Sequence, residues 1–410
     1  MTGSTGDKLG LYLSIPFCRS KCTYCNFASG VYPASEHARY VDRLIEDMRD
    51  ADAFAAKMAV ELPRAVDSIY LGGGTPSVLE PELVARLFAA IRAEFAVDAD
   101  AEITVECAPG QIADATLEAL ARAGVNRVSL GVQSFIDREA QVSGRLHSRA
   151  VVLDDLLRLR AAGITNLNID LIAGLAGQTI DSWKESLSVL AEAQPPHASV
   201  YMLEVDEDSR LGREMLSGGT RYHAELVPTD DTIARMYEIA LATLWCTGLR
   251  QYEISNFARS GFESRHNRRY WERRPYLGLG LDASSALRAT REKGERGPGY
   301  VLRATTTDDL RAYLEGAEPA ETAWLSPARQ HEEAWFLGLR MNEGVRLAAL
   351  RREFGPEPVE SALHAVSGLV ERGLVESNSR TVRLTPQGRL LSNEVFQEFL
   401  GVADEEAAAS

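Results

Sequence analysis

The chain has 410 residues, too many for one small core and suited to a large barrel or to two or three domains. Its 59 acidic residues outnumber 44 basic ones, and the formal net charge of −15 argues against a generic nucleic-acid or anionic-membrane surface. The polar start Met1–Lys8 is no signal segment, no apolar run reaches membrane-spanning length, and five cysteines make no disulfide scaffold, so a cytoplasmic location follows by default.

From Leu9 to about Leu203 the pattern alternates strand and helix. Short β-rich runs fall at Leu9–Ile15, Ser68–Leu71, Glu102–Glu106, Arg127–Gly131, Asn166–Ile172 and Ser199–Leu203. Helical stretches follow from Ser35 through Met48, then at Pro81–Phe95, Ala113–Ala123, Val151–Ala162 and Thr179–Ala193. Ser35 and Thr179 read as N-caps, and Gly124 and Gly163 as helix stops. Six βα repeats imply an α/β fold with a parallel sheet, closed or nearly closed into a partial TIM-like (β/α)6 barrel. Residues 1–205 are therefore read as the barrel core and 206–320 as an extension of it. The extension carries a helix at Thr232–Thr247, a strand at Gln251–Phe257 and a glycine-rich loop at Arg291–Gly299. Residues 321–400 read as a small C-terminal winged-helix-like domain: helices near Gln330–Leu339, Leu347–Phe354 and Pro358–Arg372, then a hairpin at Leu374–Leu384. The acidic, Ala-rich tail 401–410 is expected to be disordered.

The chemistry sits at predicted strand ends, where such barrels gather their active residues. Directly after the first strand come Cys18, Cys22 and Cys25, in a C-x3-C-x2-C loop. Three thiolates can ligate three irons of a cubic [4Fe-4S] cluster and leave the fourth open, whereas such clusters usually have four cysteines. A structural zinc site also needs four ligands, and no Cys or His follows within ten residues of Cys25. Cys107 and Cys246 lie in apolar surroundings and read as buried small hydrophobes. Gly72-Gly73-Gly74-Thr75-Pro76 follows the second strand; the run either exposes amide groups to a ligand or makes a tight turn. Glu106 ends the third strand, Gln133 and Ser134 follow the fourth, Arg145 lies in the next connection, and Asp170 lies inside the fifth. A carboxylate in an apolar strand is costly to bury alone. Asp170 either meets a ligand or pairs internally, for example with Arg145.

The cysteine loop, with Tyr24 before its third cysteine, resembles that of the radical SAM superfamily. In that superfamily the open iron binds the amino and carboxylate groups of S-adenosylmethionine (SAM). Tyr12–Cys18, Gly72–Pro76, Gly131–Phe135 and Asn168–Ile172 are similar to segments of the anaerobic coproporphyrinogen III oxidases and their relatives, and the C-terminal unit resembles that family's small helical domain. The resemblance implies SAM contacts from Tyr12, Tyr24, Gly73, Gly74, Thr75, Glu106, Gln133, Arg145 and Asp170, with the cysteines as metal ligands.

Two branches of that family differ at one position. The oxidases carry an extra cysteine two residues after the third ligand; here it is Phe27, as in the branch of heme chaperones called HemW. That branch also carries an H-N-x-x-Y-W motif, matched by His266-Asn267-Arg268-Arg269-Tyr270-Trp271, and Gln251–Ala258 resembles the segment upstream of it. The resemblance implies a chaperone that binds heme and delivers it to an acceptor protein, with His266 as axial ligand and Tyr270 and Trp271 shaping the pocket. A lone histidine in an Arg-rich loop would otherwise be a solvated polar residue. Leu279–Ser285 lacks the histidine found nearby in many relatives, so no heme ligand is assigned there. The alternatives are an oxygen-independent coproporphyrinogen III dehydrogenase, which would cleave SAM reductively, and a structural zinc protein. An electron donor such as flavodoxin or ferredoxin is implied if radical chemistry occurs; nucleic acid and an integral membrane segment are not.

Overall fold

The computed structural model describes residues 7–290 and 299–401. All of the expected loop Arg291–Gly299 but Gly299, and all of the tail 401–410 but Gly401, lie outside the described residues.

The six expected barrel strands form as β1 Leu9–Ile15, β2 Ala65–Gly73, β3 Ala96–Cys107, β4 Arg127–Gln133, β5 Asn166–Ala173 and β6 His197–Met202. Each pairs in parallel with the next. The sheet does not close, because β1 and β6 each take a different outer neighbour. Beyond β6 lie β7 Arg250–Gln251 and β8 Asn256–Ala258. Beyond β1 lie β9 Tyr276–Leu279, β10 Ser284–Arg288, β11 Val301–Thr305 and β12 Glu321–Leu325. An open barrel has room for a ligand between its edges. A closed eight-stranded one fills with side chains.

Local signals explain most boundaries. Thr179 caps the helix Ile180–Ala193 in a reciprocal box with Ser182. Gly124 and Gly163 follow their helices at φ +85° and +88°, a conformation costly for other residues. The first helix starts at Ala34 rather than after Ser35, because Pro33 holds the extended conformation that precedes a helix and serves as its N-cap. The expected strand Gln251–Phe257 is instead the short pair β7 and β8. The Glu253 carboxylate accepts from the Ser255 amide at 3.1 Å and from the Asn256 side chain, which folds the segment back.

The C-terminal unit has its own core, in which Trp335 stacks on Phe399 at 5.1 Å between ring centroids. Helices Pro327–Arg340, Leu347–Phe354 and Pro356–Glu371 pack with a small sheet of β13 Val345–Arg346, β14 Val375–Ser377 and β15 Thr381–Leu384. The unit starts later than the expected residue 321, because β12 pairs with β11 in the large sheet. Ser326 then caps the next helix.

The short helix Arg265–Trp271 seals the barrel floor. Glu102 of β3 accepts the backbone amides of Arg265 and His266, both at 3.0 Å. Arg269 is completely buried; it pairs with Asp67 and donates to the carbonyls of Lys8 at 2.7 Å and Pro275 at 2.8 Å. A Cβ at Gly10 would lie 2.4 Å from the Arg269 side chain, so that position has to be glycine. Removing one partner of a buried ion pair leaves an uncompensated charge. Asp67→Ala is therefore expected to cost about 3–5 kcal/mol, read as a lower urea midpoint. An unchanged midpoint would show that Arg269 does not anchor the floor.

Candidate functional site

The cysteine loop is held from beneath and from the side. Cys18 donates its amide to the Gly30 carbonyl and Gly30 returns one to Pro16, both at 2.9 Å. The Lys21 ammonium ties the carbonyls of Phe27 and Ser29, both at 2.9 Å. Thr75 donates its amide to the Phe17 carbonyl at 2.8 Å, and its hydroxyl reaches the Cys18 sulfur at 3.6 Å. A Cβ at Gly74 would sit 2.6 Å from the Ile15 carbonyl, and one at Gly144 would sit 3.2 Å from the Cys22 Cα. The glycine run is thus a close-packed turn that seats the loop, and Gly73, Gly74 and Thr75 also face the cavity beside it. Burial raises the Cys18 thiol above its ordinary value, so a metal centre has to displace that proton when it binds.

The cavity is about 540 Å3, a normal size for a small-molecule site. Cys18, Cys22, Cys25 and Tyr24 line one side, and Glu106, Gln133, Arg145 and Asp170 line the strand side. Glu106 accepts from the Tyr70 hydroxyl at 2.8 Å, and burial raises its carboxyl to about 7. Asp170 takes one bond from Ser129 at 2.8 Å and one from Asn168 at 2.7 Å. Arg145 donates to the Tyr24 hydroxyl at 3.0 Å, and no Asp170–Arg145 ion pair forms among the described residues. Gln133 holds a left-handed φ of +69°, and its buried side-chain oxygen has no partner. Strain of that kind concentrates at ligand sites.

Four expected residues are not on this cavity. Tyr12 stacks on Tyr70 with centroids 6.2 Å apart. His266 is completely buried, with Nδ1 3.0 Å from the Ser68 hydroxyl and Nε2 2.9 Å from that of Tyr270. Burial, with Arg269 and Arg127 nearby, lowers its imidazole to about 3, so the ring is neutral. Tyr270 packs edge-on against Tyr276, and Trp271 lies under the Arg340 guanidinium at 4.2 Å. The one residue of that motif facing the cavity is Asn267. Sequence reading missed it, along with Arg127, Ser129, Asn168, Ser199 and Tyr201. The signal was available: polar residues recur at alternate positions along three strands, at Arg127, Ser129 and Gln133, at Asn168 and Asp170, and at Ser199 and Tyr201. The expectation of two buried spare cysteines needs correction. Cys107 is buried and lines the cavity, but Cys246 ends its helix exposed to solvent.

Three cysteine thiols on one cavity suit a cluster with an open position. Among the described residues, no three His, Cys, Asp or Glu side chains converge closely enough to hold a single ion. A radical SAM superfamily model matches residues 12–190, and a HemN C-terminal domain model matches 325–391. Heme chaperone HemW of Lactococcus lactis is 33% identical over 95% of this chain and 96% of its own. Heme chaperone HemW of Bacillus subtilis is 32% identical over 95% and 98%. The chain belongs to the HemW family of radical SAM proteins. A solved structure of coproporphyrinogen III oxidase (HemN) from Escherichia coli superposes with a TM-score of 0.80, covering 96% of this chain and 90% of that one. At 24% identity this match shows the fold alone. The family position at Phe27 is itself exposed (62%) on the rim of the cavity.

A cationic ligand group such as a sulfonium, held against Glu106, would stabilise the carboxylate. Because the free carboxyl holds its proton up to about pH 7, SAM affinity should rise with pH toward 7 and level off above it, with proton release on binding below 7. Calorimetry in buffers of different ionisation enthalpy reads both effects, and Glu106→Gln should flatten them. A pH-independent affinity in the wild type would remove Glu106 from the site.

Proposed function

We propose that this protein is a radical SAM heme chaperone. Cys18, Cys22 and Cys25 would hold a [4Fe-4S] cluster, and the cavity walls, with Glu106, Gln133, Arg145 and Asp170, would hold SAM. Such a cluster supplies redox chemistry and an open coordination position for the SAM amino and carboxylate groups. The protein residues orient the ligand: Glu106 faces a cation, and Asp170 stays fixed by Ser129 and Asn168. The observation that carries the heme reading is the near full-length similarity to proteins named heme chaperones. Phe27 supports it, since an apolar ring stands where the oxidases carry a thiol. The acceptor would be a separate protein, and any cluster reduction would draw on a donor such as flavodoxin or ferredoxin. Among the described residues no helix is long and apolar enough to cross a membrane.

The motif His266–Trp271 also supports heme binding, under one geometric condition. Iron ligation by His266 requires the helix Arg265–Trp271 to swing and release the ring from Ser68 and Tyr270. The neutral imidazole carries the free electron pair that a ligand needs. Tyr270 and Trp271 would then move with it and pack on the porphyrin.

Anaerobic heme titration of reconstituted wild type and His266→Ala tests this. The expected result is weakened binding or an altered Soret band in the variant, with no turnover of coproporphyrinogen III by either protein. Sustained conversion of coproporphyrinogen III to protoporphyrinogen IX would instead make the protein a coproporphyrinogen III dehydrogenase. An identical Soret band and affinity in His266→Ala would leave His266 as the residue that fixes the barrel floor.

A further inference from the structure

Arg127 opens β4 and reaches the deep end of the cavity, away from the cysteines. It is 1% exposed. Its Nε has no partner, and among the described residues its guanidinium makes no ion pair at contact distance and no hydrogen bond; the Asp170 carboxylate acts on it only through space. That is an expensive arrangement. An arginine stays charged in a protein, and a buried charge normally has a partner. The other deeply buried arginine, Arg269, has a carboxylate and two carbonyls.

The surroundings repeat the pattern. The register partners of Arg127 are Thr104 on β3 and Asn166 on β5. The Thr104 hydroxyl and the Asn166 side-chain oxygen are also buried without partners. Three neighbouring strands thus place unsatisfied polar atoms at one level, whereas Asp170, Asn168 and Ser199 above them are fully bonded to each other. Unsatisfied buried groups gathered in one place imply a missing partner.

We propose that Arg127 forms the floor of an anion subsite that takes a carboxylate. The planar guanidinium fork matches a carboxylate in two parallel bonds. The Thr104 hydroxyl is a second donor at the same level. Glu106 and Asp170 higher in the same cavity disfavour a doubly charged phosphate. The carboxylate comes either from a free small acid or from the arm of a larger ligand such as a porphyrin propionate. The subsite stands on protein geometry alone and does not depend on the heme reading.

The test uses the full chain, as wild type, Arg127→Gln and Arg127→Lys, with folding checked by circular dichroism. Thermal melts against acetate, with phosphate as comparator, read the free acid. Titrations with heme and heme dimethyl ester read the propionate arm. Saturable stabilisation of wild type by acetate, lost in Arg127→Gln and weakened about tenfold or more in Arg127→Lys, supports a free small carboxylate. Tighter binding of heme than of its ester, with the difference lost on replacing Arg127, supports a propionate arm. If Arg127→Gln does not fold, the Lys variant alone decides by the same criteria. Overturning results are wild-type behaviour of Arg127→Lys in both assays, an equal response to phosphate, or no response of acetate and heme binding to either replacement. Arg127 would then be a counter-charge within the barrel.

Discussion

A parallel barrel with a polar lumen has to satisfy every group it buries, and that constraint organises this protein. The inner faces of β3 to β6 carry Glu106, Arg127, Ser129, Asn168, Asp170 and Ser199. In most barrels those positions pack apolar layers. Here Ser129, Asn168, Asp170 and Ser199 satisfy one another in the middle of the lumen, while Glu106 leans on Tyr70. Among the groups left over are Gln133 near the mouth and Arg127, Thr104 and Asn166 at the floor. The cavity between them is the space in which a polar ligand lowers the energy of the folded state.

The same constraint explains the helix Arg265–Trp271. Opening the sheet for a ligand exposes its floor, and the helix covers it. Glu102 fixes the helix start and Arg269 locks the middle against Asp67. Trp271 then reaches the C-terminal unit through Arg340, and Arg268 through Glu343 at 3.7 Å. The helix Pro327–Arg340 of the C-terminal unit thus touches the same segment that holds His266 beside Tyr70, and Tyr70 donates to Glu106. The small domain and the cavity are joined by a short chain of packed aromatic and charged side chains.

Local signals made the frame legible from sequence. The alternation of strand and helix, the Thr179 cap, and Gly124 and Gly163 placed the βα repeats. The cysteine loop and Glu106 at strand ends and Asp170 inside the fifth strand do share one cavity. Long-range facts were not legible. Nothing local in Gln251–Phe257 shows that Glu253 folds it into a turn, or that β12 completes a sheet begun far upstream. His266 read as a heme ligand, with a solvated polar residue as the alternative, because sequence does not reveal that Arg269 is itself buried and paired. Arg127 looked like an ordinary strand start, since only the register with Thr104 and Asn166 exposes its lack of a partner.

Three thiols and the strand-end walls would form one site, in which a cluster and SAM meet. Mössbauer spectroscopy of protein reconstituted anaerobically with 57Fe, with and without SAM, reads it directly. The expected spectrum is that of a cubic cluster in which SAM changes the parameters of a single iron, with that cluster lost in Cys22→Ala. A spectrum that SAM leaves unchanged, or a full cluster in Cys22→Ala, would contradict it.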